Sequence, residues 1–454
     1  MAERLFPTPA EIEASTPGDR DRAIDIIRIV SLVGVVVGHT VMATSIIAGD
    51  VFIWDNLLTT SVVFQALTWV FQIMPLFFFA GVAASVGSYH GTGGQERSDR
   101  GISTGGSWGG WLLKRCTRLY RPLFYYLGFW AVALVGLRGV LPVHVYEPIA
   151  GISIQLLWFL GAYVLVLAAM PLLTRITTGT RLIVGVVAIY AVVAAVDAVR
   201  VTDAGWSTVG YLNMLAWLIP GMFGVAYRRQ LVTPRTAVRL GVAMLAVNLG
   251  LLWFGPYELS LVGIESQRLK NMTPPSLLLA GHAIMLCAFA IAAAPAIGRW
   301  ASRPRVWRLA VIGNTGAMTL YLWHMPALLG VHLAFDYLGL PRYPGQPHFL
   351  MLGIAQMVLV GVLVAAMFVV LRPLESNPLP LWDGGCVAAP GRRSAAVGTL
   401  LCMAGAATLA SVGWGLKEQG LFCVSAMLVA LIGARRLAYE SPASAESVVA
   451  PKIG

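Results

Sequence analysis

Apolar runs of about 20 residues recur along the whole chain, and short polar segments between them hold most of its charge. A helix of about 20 apolar residues crosses the roughly 30 Å hydrocarbon core of a bilayer, whereas a transmembrane barrel has shorter alternating segments. The pattern therefore predicts an all-α, polytopic integral membrane protein with about twelve transmembrane helices. Pro75 predicts a tilt or break in the long second span. The predicted spans are 24–46, 60–88, 119–138, 153–174, 182–199, 209–227, 237–255, 275–297, 309–334, 350–371, 395–415 and 419–434.

Composition excludes a soluble protein. The 454 residues are 57% hydrophobic and only 12% charged, with a mean hydropathy of +0.75, which is too little charge for a water-exposed surface. The net charge is +11, and the basic residues lie in clusters between the apolar runs. We therefore expect a lipid bilayer and not a nucleic acid as the partner. The five cysteines show no paired spacing, so neither a disulfide nor a metal site is expected.

The placement of Lys and Arg predicts the orientation, because cytoplasmic loops carry an excess of these residues. With a cytoplasmic N-terminus, 25 of the 32 basic residues fall in inside segments and six in outside loops, while Arg28 lies within the first span. We therefore expect both termini in the cytoplasm. The expected location is the cell inner (plasma) membrane.

The linkers predict a division of the chain. Residues 1–22 form a cytoplasmic arm, and residues 23–376 form a ten-helix membrane unit. The segment 377–394 is rich in Pro and Gly, which is typical of a linker. It precedes a C-terminal helix pair at 395–437 and a cytoplasmic tail at 438–454.

The first span contains three polar residues, Asp25, Arg28 and His39. Eleven residues of helix turn through about 1,100°, so Arg28 and His39 point within roughly 20° of each other, and His39 lies about 16 Å deeper. Asp25 is three residues before Arg28 and close to the same face. One interpretation is structural, with an Asp25–Arg28 ion pair and a hydrogen-bonded His39. The other is functional, because charged groups within membrane spans tend to face cavities and a neutral imidazole suits a general base.

Two further polar sets are candidates. The entry to the third span holds Arg115, Arg118 and Arg121, which share one side of a helix. They suit an anionic ligand, although orientation in the membrane alone also explains basic residues there. Asn314 and Tyr321 are seven residues apart with His324 three further on, so a continuous helix would place them on one stripe; His324 suits either a structural hydrogen bond or a cavity.

Several stretches together resemble the acyltransferase-3 family of integral membrane O-acyltransferases. The first helix has an arginine, ten intervening residues and a histidine, here Arg28 and His39. "PLFFFAGVAAS" (75–85) is similar to a Phe-rich family stretch that ends in Ser-Gly, although Ala80 replaces that serine. "RCTRLYRPL" (115–123), "LWFL" (157–160) and "YLWHMP" (321–326) are similar to later family signatures. The resemblance covers about residues 20 to 376.

The resemblance implies acyl transfer, usually of acetyl, from acyl-CoA to a hydroxyl of a carbohydrate, glycolipid or secondary metabolite. His39 is then the expected general base, Asp25 holds Arg28 in place, and no metal is needed. Arg28 and the three arginines at the entry to the third span are expected to bind the phosphates of the donor, acyl-CoA. The expected substrate-binding residues are Trp158, Asn314, Tyr321 and His324.

Two other functions also fit twelve spans with both termini inside: a secondary transporter, and a flippase or scaffold for a lipid or glycan. The absence of visible repeat symmetry and the scarcity of mid-membrane acids in the sequence favour the acyltransferase.

Overall fold

The structure, a computed structural model, describes residues 6–93, 107–202, 204–263, 269–384, 386–387 and 390–440. Residues 441–454 of the predicted tail lie outside that part. Within it, twelve helical segments are long and apolar enough to cross a membrane. These segments correspond one to one to the predicted spans, so the prediction of an all-α, multi-pass membrane protein is confirmed.

The helices of the first half are α1 (Pro9–Ser15), α2 (Arg22–Met42), α3 (Val62–Phe71), α4 (Met74–Gly93), α5 (Trp108–Val140), α6 (Val143–Ile152), α7 (Leu157–Ala168) and α8 (Met170–Leu173). Those of the second half are α9 (Gly179–Thr202), α10 (Leu218–Arg228), α11 (Pro234–Phe254), α12 (Leu277–Ala301), α13 (Pro304–Thr315), α14 (Ala317–Tyr337), α15 (Phe349–Ser376), α16 (Arg392–Ser411) and α17 (Glu418–Leu437). Short 3₁₀ helices lie at Leu57–Thr59 and Ala204–Trp217. Four strands complete the described elements: β1 (Ala43–Ala48), β2 (Val51–Asn56), β3 (Cys386–Val387) and β4 (Tyr439–Glu440).

The chain divides into two compact units. The first unit comprises residues 1–85 and 172–368, and the second comprises residues 86–171 and 369–454. In the second unit α16 packs along α5 and α7. The division into a ten-helix unit and a C-terminal pair stays a prediction.

Helix α2 carries Asp25, Arg28 and His39. The side chain of Asp21 caps its start by accepting a hydrogen bond from the Ile24 amide at 3.2 Å. The helix then runs without interruption past His39 and packs against α12, α13 and α14. Because the helix is continuous, Arg28 and His39 share one side, as the spacing predicted.

The first span ends at Met42, four residues earlier than predicted, because a β-hairpin follows it. Strands β1 and β2 pair antiparallel, with Ser45 opposite Trp54. The two residues of the turn, Gly49 and Asp50, have φ of 54° and 65°, which is the left-handed backbone that a two-residue hairpin turn requires. The Gly-Asp pair is the sequence signal for this turn, but the first strand continues the apolar run of the helix, so hydrophobicity alone does not separate the two elements.

The second span is broken, and Pro75 marked the break correctly. Helix α3 ends at Phe71, and α4 begins at Met74, so Pro75 lies in the first turn of α4, where a missing amide hydrogen costs nothing.

The ninth span begins at Ala317, eight residues after the predicted start at 309, because the helix is divided there. The chain leaves the helix at Gly316 (φ −123°, ψ 29°) between α13 and α14. A Cβ at Gly316 would collide with the ring of Phe368, so a larger residue there would require that ring to shift. Asn314 consequently lies on a different helix from Tyr321 and His324, and the three do not form one helical stripe.

The third span also differs from its prediction. Helix α5 begins at Trp108, eleven residues before the expected start, with the side chain of Ser107 accepting from the Gly110 amide at 3.2 Å. Arg115, Arg118 and Arg121 are therefore part of the helix, and their spacing of three does place them on one side.

Helix α1 orders the N-terminal arm. A reciprocal capping box between Thr8 and Glu11 begins the helix. Ile12 is buried against Ile26, Trp307 and neighbouring apolar side chains of α12 and α13. This packing brings the segment after α1, with Arg20, to the start of α2.

Candidate active site

Two histidines from distant parts of the chain meet within the first unit. The Nδ1 atom of His39 lies 2.9 Å from the Nε2 atom of His324, and the two rings are stacked with centroids 5.2 Å apart. His39 is carried by α2 and His324 by α14. Two apolar helices thus place a pair of imidazoles in direct hydrogen-bond contact.

The second contact of His324 fixes which nitrogen carries the proton. Its Nδ1 lies 3.2 Å from the carbonyl oxygen of Leu320, and a carbonyl can only accept, so Nδ1 of His324 is the donor there. The Nε2 atom of neutral His324 is then an acceptor, and Nδ1 of His39 donates to it. This leaves Nε2 of neutral His39 with a free lone pair, since no described residue hydrogen-bonds that atom.

The surroundings of the two rings differ. His324 is fully buried. His39, by contrast, is exposed. Its free Nε2 atom is therefore accessible to a bound molecule.

Arg28 and Asn314 form a second contact between the same parts of the chain. Nη2 of Arg28 donates to the carbonyl oxygen of Asn314 at 3.4 Å, and Nδ2 of Asn314 donates to the carbonyl oxygen of Asp25 at 2.9 Å. The Nε–H of Arg28 and the Oδ1 atom of Asn314 are buried and have no partner among the described residues. One unsatisfied donor and one unsatisfied acceptor therefore lie side by side.

Both side chains border a cavity of about 220 Å³ at the N-terminal end of α2. Arg20, Asp25 and Trp307 also line it. Two guanidinium groups against a single carboxylate give this cavity an excess of positive charge, which suits an anionic group.

The expected ion pair between Asp25 and Arg28 is not formed. Asp25 instead accepts from Nε of Arg20 at 2.6 Å and from Nη2 of Arg20 at 3.1 Å. This bidentate contact raises the pKa of Arg20 above its usual value, chiefly through the hydrogen bond with Asp25. Arg20 was missed because it precedes the apolar run and looked like an ordinary flanking charge.

Tyr321 lies next to the imidazole pair. Its ring centroid is 6.4 Å from that of His324, and the side chain is buried. It therefore packs beside His324 in the same helix, α14.

The remaining predicted site residues belong to the second unit. Arg115 donates to Oγ of Ser88 at 2.6 Å and stacks over the ring of Trp111, whereas Arg118 is exposed. Trp158 is half-buried in α7, with its ring against that of Phe159.

Arg121 is held by contacts within the second unit. Its Nε and Nη2 atoms donate to the carboxylate of Asp383, and its Nη1 atom donates to the carbonyl oxygens of Glu375 and Ser376 at 2.8 and 3.2 Å. A guanidinium whose three nitrogens are all engaged in this way joins α5 to the end of α15. The predicted role of Arg121 in binding phosphate stays a prediction.

A comparison with known families identifies the family of the chain. The model of the acyltransferase-3 family, described as an acyltransferase domain, matches residues 21–372. The chain belongs to the acyltransferase-3 family. The matched residues run from the start of α2 into α15 and include both imidazoles, Asp25, Arg28 and Asn314, whereas Arg20 lies just before them. No curated protein and no solved structure matches the chain.

Membership of the acyltransferase-3 family makes the chain a membrane acyltransferase, and it favours this function over the transporter and flippase alternatives. Among the described residues, no group of three or more His, Cys, Asp or Glu side chains is arranged to hold a metal ion.

Proposed function

We propose that this membrane acyltransferase moves an acyl group, with acetyl as the expected one, from acyl-CoA to a hydroxyl of a carbohydrate, glycolipid or secondary metabolite. The hydroxyl oxygen attacks the thioester carbonyl carbon while Nε2 of His39 takes the hydroxyl proton. Collapse of the tetrahedral intermediate breaks the carbon–sulfur bond, and the proton passes from His39 to the leaving thiolate. The products are an ester and free CoA.

The observation that carries the proposal is the 2.9 Å contact between His39 and His324. Together with the Leu320 carbonyl, it supports a neutral His39 whose Nε2 atom is unprotonated and borders open space. When Nε2 takes a proton, the imidazolium keeps its hydrogen bond to His324, so no rearrangement of the pair is needed. The role of a general base requires this combination of a free lone pair and a fixed ring.

The cavity around Arg28 supports the donor part of the proposal. Its excess positive charge suits the phosphates of CoA, and Arg28 is one of the residues that line it. His39 lies about 16 Å further along the same helix, and the pantetheine arm of CoA, which joins the phosphates to the sulfur, is a chain of comparable length. Arg115 and Arg118 remain proposed phosphate ligands.

The proposed orientation places both termini in the cytoplasm of a cell whose inner (plasma) membrane holds the protein. Since CoA is cytoplasmic, the Arg28 end of α2 is then on the side of the donor. The excess of basic residues in the loops predicted to be inside supports this orientation.

The test is replacement of His39. We expect His39→Ala to abolish acyl transfer and to leave the amount of protein unchanged, because the ring borders open space and its removal creates no buried cavity. The matched control is His144→Ala, an exposed histidine of α6, which should behave as the wild type. The measurement is mass spectrometry of envelope lipids and glycans from a deletion strain that carries each variant. Wild-type levels of acylation in the His39→Ala strain would refute the assignment.

A further inference from the structure

A second polar cluster lies at the other end of α14, beside the hairpin. Oγ of Ser45 is 2.8 Å from Nδ1 of His332 and 2.6 Å from Oδ2 of Asp336. Ser45 and His332 are fully buried, and Asp336 is half-buried. A strand of the hairpin and one side of α14 thus combine a hydroxyl, an imidazole and a carboxylate that the proposed chemistry at His39 does not use.

The hydrogen bonds of Ser45 determine what the cluster offers to a ligand. Its single hydroxyl proton goes to the carboxylate of Asp336, which can only accept, so Oγ of Ser45 accepts from Nδ1–H of His332. Nε2 of His332 is then a free acceptor. This atom and Oδ1 of Asp336 are both buried without a partner among the described residues. Buried polar atoms of this kind are normally satisfied, so two such atoms in one cluster point to a missing partner.

Neighbouring side chains add donors and acceptors. Arg342 lies beside Ser45, since the Ser45 amide donates to the Arg342 carbonyl oxygen at 3.1 Å. The terminal nitrogens of Arg342 donate to the carbonyl oxygens of Val41 and Ala43 at the end of α2, whereas its Nε–H has no partner among the described residues. Burial lowers the pKa of Arg342 to about 10, so it stays cationic at neutral pH.

An aromatic ring borders the same cluster. Trp54, opposite Ser45 in the hairpin, is half-buried, and its ring meets that of His332 at 4.9 Å in an edge-on contact. The half-buried Trp54 and Asp336 are the members of the cluster that a molecule would reach first.

The mixture of groups selects a neutral ligand with hydroxyl groups. The carboxylate of Asp336 disfavours an anion, and the guanidinium of Arg342 disfavours a cation. A hydroxyl both donates and accepts, so it can donate to His332 or Asp336 and accept from Arg342. We propose that Ser45, His332, Asp336, Arg342 and Trp54 form a subsite for a hydroxyl group of a neutral sugar or polyol.

This assignment rests on the proposed acyl transfer for its biological meaning. His332 lies eight residues beyond His324, or about 12 Å further along α14. A hydroxyl held there is therefore not the one that reacts at His39. The subsite holds a remote part of the acceptor and helps to set which acceptors are used.

The test measures binding directly on the purified full-length protein in detergent. The probes are methyl glucoside, methyl galactoside, methyl mannoside and glycerol, and the readout is the concentration dependence of the melting temperature. Because sugars also stabilise proteins non-specifically, the comparison is between variants. We expect Asp336→Asn to raise the probe concentration that gives half of the saturable shift in melting temperature by on the order of tenfold for at least one probe. The substitution replaces a charged hydrogen-bond acceptor, the carboxylate, by a neutral amide.

The matched control is Asp55→Asn, which makes the same chemical change in strand β2. Asp55 follows Trp54 directly, so its side chain points to the opposite face of the hairpin. It should respond as the wild type. If Asp336→Asn does not fold, Trp54→Leu provides the second test, because it keeps an apolar side chain and removes the aromatic face; the same loss is expected.

Each outcome separates the two proposals. Loss of the response in Asp336→Asn or Trp54→Leu, with stabilisation by acetyl-CoA retained, supports the subsite. Equal responses in the wild type, both variants and the control overturn it. The absence of a saturable response in the wild type also overturns it, and an ordered water would then be the partner of the unsatisfied atoms. Failure of acetyl-CoA to stabilise any variant counts against the acyl transfer and not against the subsite.

Discussion

His39 has two ring nitrogens, and its neighbour determines which of them can take part in chemistry. The carbonyl oxygen of Leu320 orients His324, and His324 in turn holds the proton of His39 on Nδ1. These two hydrogen bonds leave the Nε2 atom of His39 unprotonated, and the residue is exposed. The arrangement is comparable to that of enzymes in which a second group fixes the tautomer of a catalytic histidine.

His324 is on this view a positioning residue, and its substitution tests that role. We expect His324→Leu, which removes the acceptor, to lower kcat by about 10- to 100-fold. His324→Gln keeps an oxygen able to accept from His39 and should recover much of that loss. The measurement is the steady-state rate of acyl transfer for both variants, with equal melting temperatures as the check on folding. Equal losses in kcat for the two variants would mean that the hydrogen bond does not matter.

Arg28 is expected to act on donor binding. Arg28→Met keeps much of the length of the side chain and removes the charge, so KM for acyl-CoA should rise by about tenfold or more, because a charge-assisted hydrogen bond to phosphate is lost. Arg305→Met, at an exposed position of α13, is the control and should leave KM unchanged. An unchanged KM in Arg28→Met would remove this residue from the donor site.

At the scale of elements, close helix packing depends on individual glycines. A Cβ on Gly224 of α10 would lie 2.5 Å from the carbonyl oxygen of Phe79 and 3.0 Å from the amide nitrogen of Ala83 in α4. Both contacts are with backbone, which cannot move aside without shifting a helix. By contrast, a Cβ on Gly250 of α11 would meet nothing within 4 Å.

These two positions give a matched pair of substitutions. Gly224→Ala should destabilise the protein by about 1 to 3 kcal/mol through overpacking. Gly250→Ala should be neutral or slightly stabilising, since alanine is the better helix former. Thermal unfolding in detergent, followed by loss of monodisperse protein, measures both. A Gly224→Ala protein as stable as Gly250→Ala would contradict the packing described for α4 and α10.

The differences between predicted and observed elements have a common cause. Strand β1 follows α2 within one apolar stretch, and Gly316 divides another, so hydrophobicity alone placed no boundary at either position. The hairpin depends on its turn residues, whereas the close approach of Gly316 to the ring of Phe368 joins residues far apart in the sequence. Burial next to a distant side chain is not visible in a local pattern.

At the scale of the whole molecule, the C-terminal helices contribute to the packing of the second unit. The Gly109 amide of α5 donates to Oγ of Ser394 in α16 at 2.8 Å, and the hydroxyls of Tyr120 and Thr408 lie 3.2 Å apart. The family match ends at residue 372, before these helices. Helix α16 therefore completes the packing of α5 and α7, although it lies outside the matched residues.

Truncation tests this view. A chain that ends at residue 376 loses α16 and α17 and exposes the sides of α5 and α7 that α16 covers, small and polar groups included. We expect it to be poorly extracted or aggregated in size-exclusion chromatography. Co-expression of residues 377–454 as a separate chain should partly restore a monodisperse species. A truncated protein as monodisperse as the wild type would show that the pair is dispensable for folding.

The sequence by itself determined the features that depend on local geometry. Apolar length predicted the twelve membrane segments, and helical periodicity placed Arg28 and His39 on one side of the first helix, because both follow from the fixed rise and rotation of a helix. The order of short motifs led to the acyltransferase-3 family. The break near Pro75 was also readable, since proline restricts the backbone wherever it occurs.

Only the tertiary structure decided which polar groups meet. His39 and His324 are 285 residues apart, and either could have made an unrelated hydrogen bond. Asp25 pairs with Arg20 instead of Arg28, and Arg121 pairs with Asp383, because the packing of the chain brings those groups within hydrogen-bond distance. A polar residue in an apolar helix must find a partner, but its own neighbours in sequence do not specify which one. That choice is made by how the helices pack, and it places His324 against His39.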